Sequence, residues 1–439
     1  MKKLLLFILL TTFTVNAQFW TEKASSFAAA SRGINSISIA DDNVIWVKAY
    51  DGTAAAVATI KEYAKSTDGG NNWTSATFTL TGGASSLGIS CITAVDANTA
   101  WVSAYPTTNA SGGIWKTVNG GTTWNKQLTA LFSNSASFAN VVYFWDANNG
   151  VCQGDPANGY FEIYTTTNGG TTWTRVPSAN IPLPADTGEY GYVNNYHVVG
   201  DVIWFGTNYG RIFRSVDKGL NWTVSQSPIN DFGGESENGS YTFSTETKGL
   251  LSSNSGQLWS TTDGGENWNT QAFTGPFYLS DLAYVPGTSN VVCTGSATGN
   301  SGSSYSLDDG ATWTQIDNGI QHTFCEFRNS SVGFSGGFSE NATSKGIFKY
   351  TGTVLALPTT EKAVFSIYPN PATDIITVNG ASASIKAIQV VDINGRIVKS
   401  LKFDGITETQ VNISDLNAGV YVITVSSEEG VSSTKIIKN

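Results

Sequence analysis

The residues best suited to acid–base chemistry gather in two stretches of this chain. NIPLPADTGEYGYV, residues 180–193, carries Asp186, Glu189, Tyr190 and Tyr192, and PINDFGGESENGS, residues 228–240, carries Asp231, Glu235 and Glu237. Carboxylates on two neighbouring loops can face each other across a cleft, one as general acid and one as base or nucleophile, which is what glycoside hydrolysis needs. Of the 2 histidines, His197 sits within VNNYHVV and reads as a strand residue, while His322 stands near a strand start and is the better general base. Asp186, Glu189, Asp231, Glu235 and His322 are therefore the catalytic candidates. A second set, Asn35, Ser90, Asn140, Asn195, Ser240, Asp281 and His322, recurs where the chain enters apolar segments. Such a polar ring, with aromatics nearby, would suit a sugar, whose hydroxyls need hydrogen bonds and whose C–H faces need stacking. Arg32, Asn35, Asn140, Tyr190, Asn195 and Asp281 are the expected ligand contacts. The competing expectation is that they cap strand ends and hold channel water. No Gly-rich phosphate loop, nucleophile elbow or metal-ligand cluster is visible, so neither a metal nor a cofactor is expected.

What must position these residues is a repeat. Six segments share the form S/T-x-D/N-x-G-x-x-W: STDGGNNW, TVNGGTTW, TTNGGTTW, SVDKGLNW, TTDGGENW and SLDDGATW. Their tryptophans, Trp73, Trp124, Trp173, Trp222, Trp268 and Trp313, follow one another at steps of 51, 49, 49, 46 and 45 residues. Short β-prone runs such as SCITAV, NTAWVSAY and GGIWKT precede a box, and another such as WNKQL follows it. Four antiparallel strands per repeat make a propeller blade. The segment after the sixth box, 320–350, supplies three strands and no box, while Phe19-Trp20-Thr21-Glu22 matches the strand that follows a box, with Trp20 standing 53 residues before Trp73. The expectation is an all-β chain: a seven-bladed β-propeller over 18–352, whose N-terminal strand closes the last blade, and then a small β-sandwich. Six blades with a loose end is the alternative, and it leaves both segments unpaired. The loops on the channel face are then 26–34, 80–88, 130–138, 179–192, 228–239, 274–279 and 317–322.

The boxes resemble the Asp-box (BNR) repeats of sialidases, xyloglucanases, sortilin-type receptors and photosystem II assembly-factor-like propellers. The resemblance implies that they are peripheral and structural, marking the fold and not the chemistry. Gly70, Gly121, Gly170, Gly219, Gly265 and Gly310 supply positive φ at a turn, and Asp68, Asn119, Asn168, Asp217, Asp263 and Asp308 can accept backbone N–H groups across it. A sialidase is disfavoured, because its arginine triad and the Arg-Ile-Pro motif are not found here. Xyloglucanases clasp their chain between two propellers, and one is present. The favoured expectation is a non-catalytic propeller that binds an extracellular glycan or protein on its channel face. The alternatives are a glycoside hydrolase or polysaccharide lyase, and an assembly factor.

After a linker at 353–362, residues 363–439 carry Pro369-Asn370-Pro371, Asp392 with Asn394-Gly395-Arg396, Leu416 with Gly419-Val420-Tyr421, and a basic ending at Lys435 and Lys438. These resemble the type A C-terminal sorting domain of type IX secretion cargo in Bacteroidetes. The resemblance implies the type IX machinery as partner, then attachment to surface lipopolysaccharide or release. MKKLLLFILLTTFTVNA, residues 1–17, reads as a Sec signal peptide. Net charge −10 and pI near 4.7 argue against nucleic acid and anionic membranes as partners. No transmembrane segment is expected, and a monomer is. Cys91, Cys152, Cys293 and Cys325 are widely spaced and each sits in an apolar or β-prone stretch, so buried free thiols are expected at least as much as disulfides.

Overall fold

The computed structural model describes residues 18–53, 59–82, 86–107, 111–355, 365–380, 384–392, 396–427 and 431–439. The expected signal peptide, part of loop 80–88, most of the 353–362 linker and Asn394-Gly395 lie outside the described residues. The chain forms two compact units, Met1–Leu355 and Ala356–Asn439. Among the described residues there is no α-helix, and a single 3-10 turn at Ser178–Asn180 interrupts the strands.

The first unit holds seven sheets among the described residues, six of four strands and one of five. Their first strands are Arg32–Ile39, Leu87–Ala94, Ala139–Phe144, Gly191–Val199, Gly239–Phe243, Asp281–Tyr284 and Cys325–Asn329. In five of the sheets the strands follow in sequence order. The second gains a fifth strand from loop 80–88, where Leu80–Thr81 runs parallel to Trp124–Lys126. The seventh takes its outer strand from the far end of the chain: Trp20–Ala24 pairs antiparallel with Gly346–Tyr350, Trp20 opposite Tyr350. Trp20 is buried and its indole N–H reaches Ser303 Oγ of the sixth sheet at 3.0 Å. Leu355, expected in the linker, is also fully buried, its N–H on Tyr350 Oη at 2.9 Å. The first unit therefore runs past the expected boundary.

Each box locks the turn before an outer strand. The Ser or Thr hydroxyl donates to the Asp or Asn at 2.7–3.0 Å and accepts the N–H of the box glycine at 2.8–3.0 Å. The Asp or Asn then accepts the N–H four residues on at 2.8–3.0 Å. Those bonds to Asn72, together with one from Ser66, hold the Asp68 carboxyl down to about 2. Gly70 has φ +80°, and a Cβ there would fall 2.3 Å from the Phe334 ring of the neighbouring sheet. Box tryptophans fill the seams between sheets: Trp124 meets Trp46, Tyr63 and Phe78 of the first sheet edge-on. The four cysteines are buried and unpaired.

The second unit has two sheets. Ser366–Tyr368, Ile375–Asn379 and Glu408–Asn412 form one; Ile397–Ile406, Ile385–Asp392, Gly419–Ser427 and Val431–Lys438 form the other. Ile376, Val378 and Val411 share one apolar core with Ile388, Val390, Ile423 and Ile436. Asn370 of the Pro-Asn-Pro motif clamps the last strand, donating to Lys435 O and accepting from Ile437 N, both at 2.9 Å.

The closing strand gives a direct test. Trp20→Ala should cost about 3–5 kcal/mol in denaturant unfolding, as a buried tryptophan does. Removal of residues 18–24 should leave Gly346–Tyr350 with an open edge, seen as self-association in size-exclusion chromatography.

Candidate functional site

First strands of neighbouring sheets lie side by side, and Cys325–Asn329 also lies against Arg32–Ile39. Their outward N–H groups have no strand to pair with, and a buried N–H without a partner is costly. Side chains of the preceding sheet supply acceptors: Ala94 N bonds to Ser38 Oγ at 2.9 Å, Val142 N to Cys91 Sγ at 3.1 Å, Tyr284 N to Thr242 Oγ1 at 3.0 Å, and Cys325 N to Asp281 Oδ2 at 2.9 Å. The strands thereby surround a channel.

Several of the polar residues expected at the channel sit on β-bulges. The register shifts around Asn35, Ser90 and Asn140, and more widely between Gly191 and Tyr196, which includes Asn195. A bulge re-aims a side chain out of the ladder. Asn194, at φ 56°, turns across the channel: its amide donates to Asn35 O at 2.8 Å and accepts from Ser36 Oγ at 2.9 Å. Two cavities meet at this waist, about 320 Å³ toward the starts of the first strands and about 470 Å³ toward their ends. Asn194, Tyr196, His197, Phe324 and Glu326 border both.

Of the candidate residues, Asn35, Asn195 and Asp281 line the first cavity. Asn35 Oδ1 is buried there without a hydrogen-bond partner. Asn195 Oδ1 accepts Gly206 N at 3.0 Å and Tyr241 Oη at 2.9 Å. Asp281 accepts Ser240 Oγ at 2.8 Å as well as Cys325 N, and burial lifts its carboxyl to about 6. Asp231 stands behind the wall, holding the hydroxyl of the lining residue Tyr192 at 2.6 Å.

The remaining candidates are not brought to the cavity. His322, expected near the mouth, is fully buried, with Ser335 Oγ at 3.0 Å, Asp317 Oδ2 at 3.1 Å and the Phe348 ring centred 4.3 Å away. Trp20 of the closing strand lies over it. Glu189 is buried in an ion pair with Arg211 at 2.8 Å and also takes Thr207 Oγ1 at 2.8 Å, so it ties the 180–190 loop to its sheet. Asp186 is exposed, and Tyr209 and then Gly188 hold its carboxyl below the usual range. Arg32 pairs with Glu62 at 3.1 Å. Asn140 donates to Asp155 at 2.7 Å, and Asp155 also takes Gly191 N, which joins the third and fourth sheets. Tyr190 and Glu235 are exposed.

Sequence reasoning missed Glu326. It stands between the buried Cys325 and Phe327 of the strand Cys325–Asn329, and an acidic residue between two apolar ones in a first strand was the available signal. Burial, and after it the Asp281 carboxylate, push its carboxyl up to about 8.

Residues 366–439 match the family of secretion system C-terminal sorting domains. No curated protein matches the chain. Among solved structures, YCF48 bound to D1 peptide is similar at 16% identity, over 77% of this chain and 98% of that one, with a TM-score of 0.52. YCF48 from Cyanidioschyzon merolae is similar at 17%, over 75% and 98%, with a TM-score of 0.52. A GH74 xyloglucanase from Xanthomonas campestris covers 94% of this chain and 70% of its own at 14%, but its TM-score of 0.30 carries no weight. The first unit thus has a β-propeller fold, and the likeness extends no further than the fold. The second unit is a type IX sorting domain, and the protein is exported to the cell surface or extracellular space. No helix among the described residues is long and apolar enough to cross a membrane.

A carboxyl raised in the folded state contributes stability that is whole below its unfolded value and is lost as pH climbs through the folded one. For Glu326 that window runs from 4.5 to about 8. Glu326→Gln should therefore gain stability over the parent protein as pH rises from 4.5 toward about 9, with no gain at pH 4.5, in paired thermal melts.

Proposed function

We propose that this is a secreted or surface-held binding protein. In this reading a signal peptide at 1–17 starts export, a seven-bladed Asp-box propeller at 18–352 carries a ligand seat, and a β-sandwich at 363–439 engages the type IX machinery. The seat is the first cavity, where a glycan or a segment of another protein is held without being turned over. The observation that carries the reading is the channel itself. It is walled by Tyr192, Phe232, Tyr241, Tyr284 and Phe324 on one side of a waist crossed by Asn194. A concave, aromatic seat with a few fixed polar groups is the ordinary form of a ligand site. The acid–base candidates are engaged in holding loops and sheets: Glu189 by Arg211, His322 by Asp317 and Ser335, Asp231 by Tyr192. The D1 peptide held by one YCF48 structure is that protein's ligand, and it lends the protein-segment version of the reading a parallel.

One observation favours the enzyme alternative: Asp281 and Glu326, two carboxyls raised to about 6 and about 8, border the same cavity. Raised carboxyls in a cleft suit a general acid. Both oxygens of Asp281, however, accept bonds that hold its neighbours.

The test uses the purified protein on a glycan array and in pull-downs from surface extracts, beside an assay for new reducing ends and unsaturated products on a polysaccharide panel. Binding that falls about tenfold or more in Tyr192→Ala is expected, as for loss of an anchoring aromatic, with no product formed. Product formation that disappears in Glu326→Gln would replace this reading with the hydrolase or lyase.

A further inference from the structure

The first cavity is unbalanced in charge and in hydrogen bonding. Asp281 and Glu326 border it, and among the described residues no lysine or arginine does. His197 does not compensate: burial lowers its imidazole to about 4, with Nε2 3.0 Å from Phe243 O. Arg328, on the far side of the waist, pairs with Asp42 at 3.2 Å and borders the second cavity only. Burial and Asp281 shift Glu326, and no cationic neighbour or hydrogen-bond donor offsets them. Asn35 Oδ1 is a further buried acceptor without a donor.

The aromatic wall complements this. The hydroxyls of Tyr192, Tyr241 and Tyr284 are committed to Asp231, Asn195 and Asp309 at 2.6, 2.9 and 3.1 Å. What these residues have left to offer is ring surface, beside the rings of Phe232 and Phe324. Ring faces attract a cation through their quadrupole, and a desolvated carboxylate attracts it more strongly. Surplus acceptors, two acids without a cationic partner and aromatic rings together select a donor-rich organic cation over a neutral sugar or an anion. A volume of about 320 Å³ suits a single side chain and not a folded surface.

We propose that this cavity receives an alkylammonium or guanidinium group, presented as a lysine or arginine side chain of a protein partner. This inference rests on the binding reading above and names the ligand of that same seat.

The full-length protein is titrated by calorimetry with Ac-Gly-Lys-Gly-NH2, Ac-Gly-Arg-Gly-NH2, the norleucine analogue and spermidine. The lysine or arginine peptide should bind, and the neutral norleucine peptide, which has the same alkyl reach, should not. Glu326→Gln should weaken that binding about tenfold or more, the scale for removing a buried charge partner. Its thermal melt shows independently that it folds. Asn35→Asp, which adds a third carboxylate to the wall, should tighten it. Equal binding of the norleucine peptide, unchanged affinity in Glu326→Gln, or spermidine binding more tightly than either peptide each overturns the proposal. A neutral glycan or peptide whose binding is lost in Tyr192→Ala but kept in Glu326→Gln would overturn the cation assignment and leave the binding reading standing. Failure of every ligand, on the arrays as well as here, would remove both.

Discussion

The first unit depends on how the N–H groups at the inner edges of its sheets find acceptors. A four-stranded sheet alone leaves two unpaired edges, and the inner one faces the channel. Ser38, Cys91, Thr242 and Asp281 answer it from the neighbouring sheet. Small acceptor side chains are thereby required at those places, which accounts for a buried thiol at Cys91 as readily as for a buried carboxylate at Asp281. The outer parts of the seams are fastened differently. Lys65 and Lys116 lie over Trp46 and Trp101 and donate to carbonyls of the following box, at Gly120 and Gly169. Box, tryptophan and cation form one latch repeated from sheet to sheet.

Much of this was legible in the sequence, because the repeat is written in residues adjacent along the chain. The boxes fixed where the outer turns fall, and the resemblance of Phe19-Trp20-Thr21-Glu22 to a strand after a box pointed to its pairing with Gly346–Tyr350. The polar residues noticed at the starts of the first strands marked real irregularities, since Asn35, Ser90 and Asn140 are bulge positions. The site was less legible. Asn35, Asn194, Asp281 and Glu326 come from four different sheets, and no local pattern brings them together. The acidic loops looked richer in chemistry than they are. A carboxylate such as Glu189 in a surface loop often serves to hold the loop, and only its burial against Arg211 reveals that.

The same distinction separates the two carboxylates that do reach the cavity. Asp281 is tied on both oxygens and belongs to the inner-edge network, while Glu326 has burial without compensation. Carboxyls raised by desolvation and left without a partner cluster at functional sites. In the second unit, by contrast, the motif residues act on their own domain: Asn370 clamps the last strand and Tyr421 Oη donates to Asn417 O at 2.9 Å.

The position of the closing strand sets an order of events. Trp20–Ala24 is synthesised before the rest of the unit, yet its partner Gly346–Tyr350 comes near the end of the unit; Thr21 and Thr351, bonded at 2.9 Å, are 330 residues apart. Such a long-range pairing is slow and cannot form until the unit is complete. A nascent or half-exported chain therefore has an unfinished last sheet and an exposed edge, which is the state holdase chaperones recognise. The sorting domain, a separate unit with its own core, follows that edge in the chain. A chain interrupted before Gly346–Tyr350 therefore lacks both the partner of its first strand and the sorting domain that directs its export.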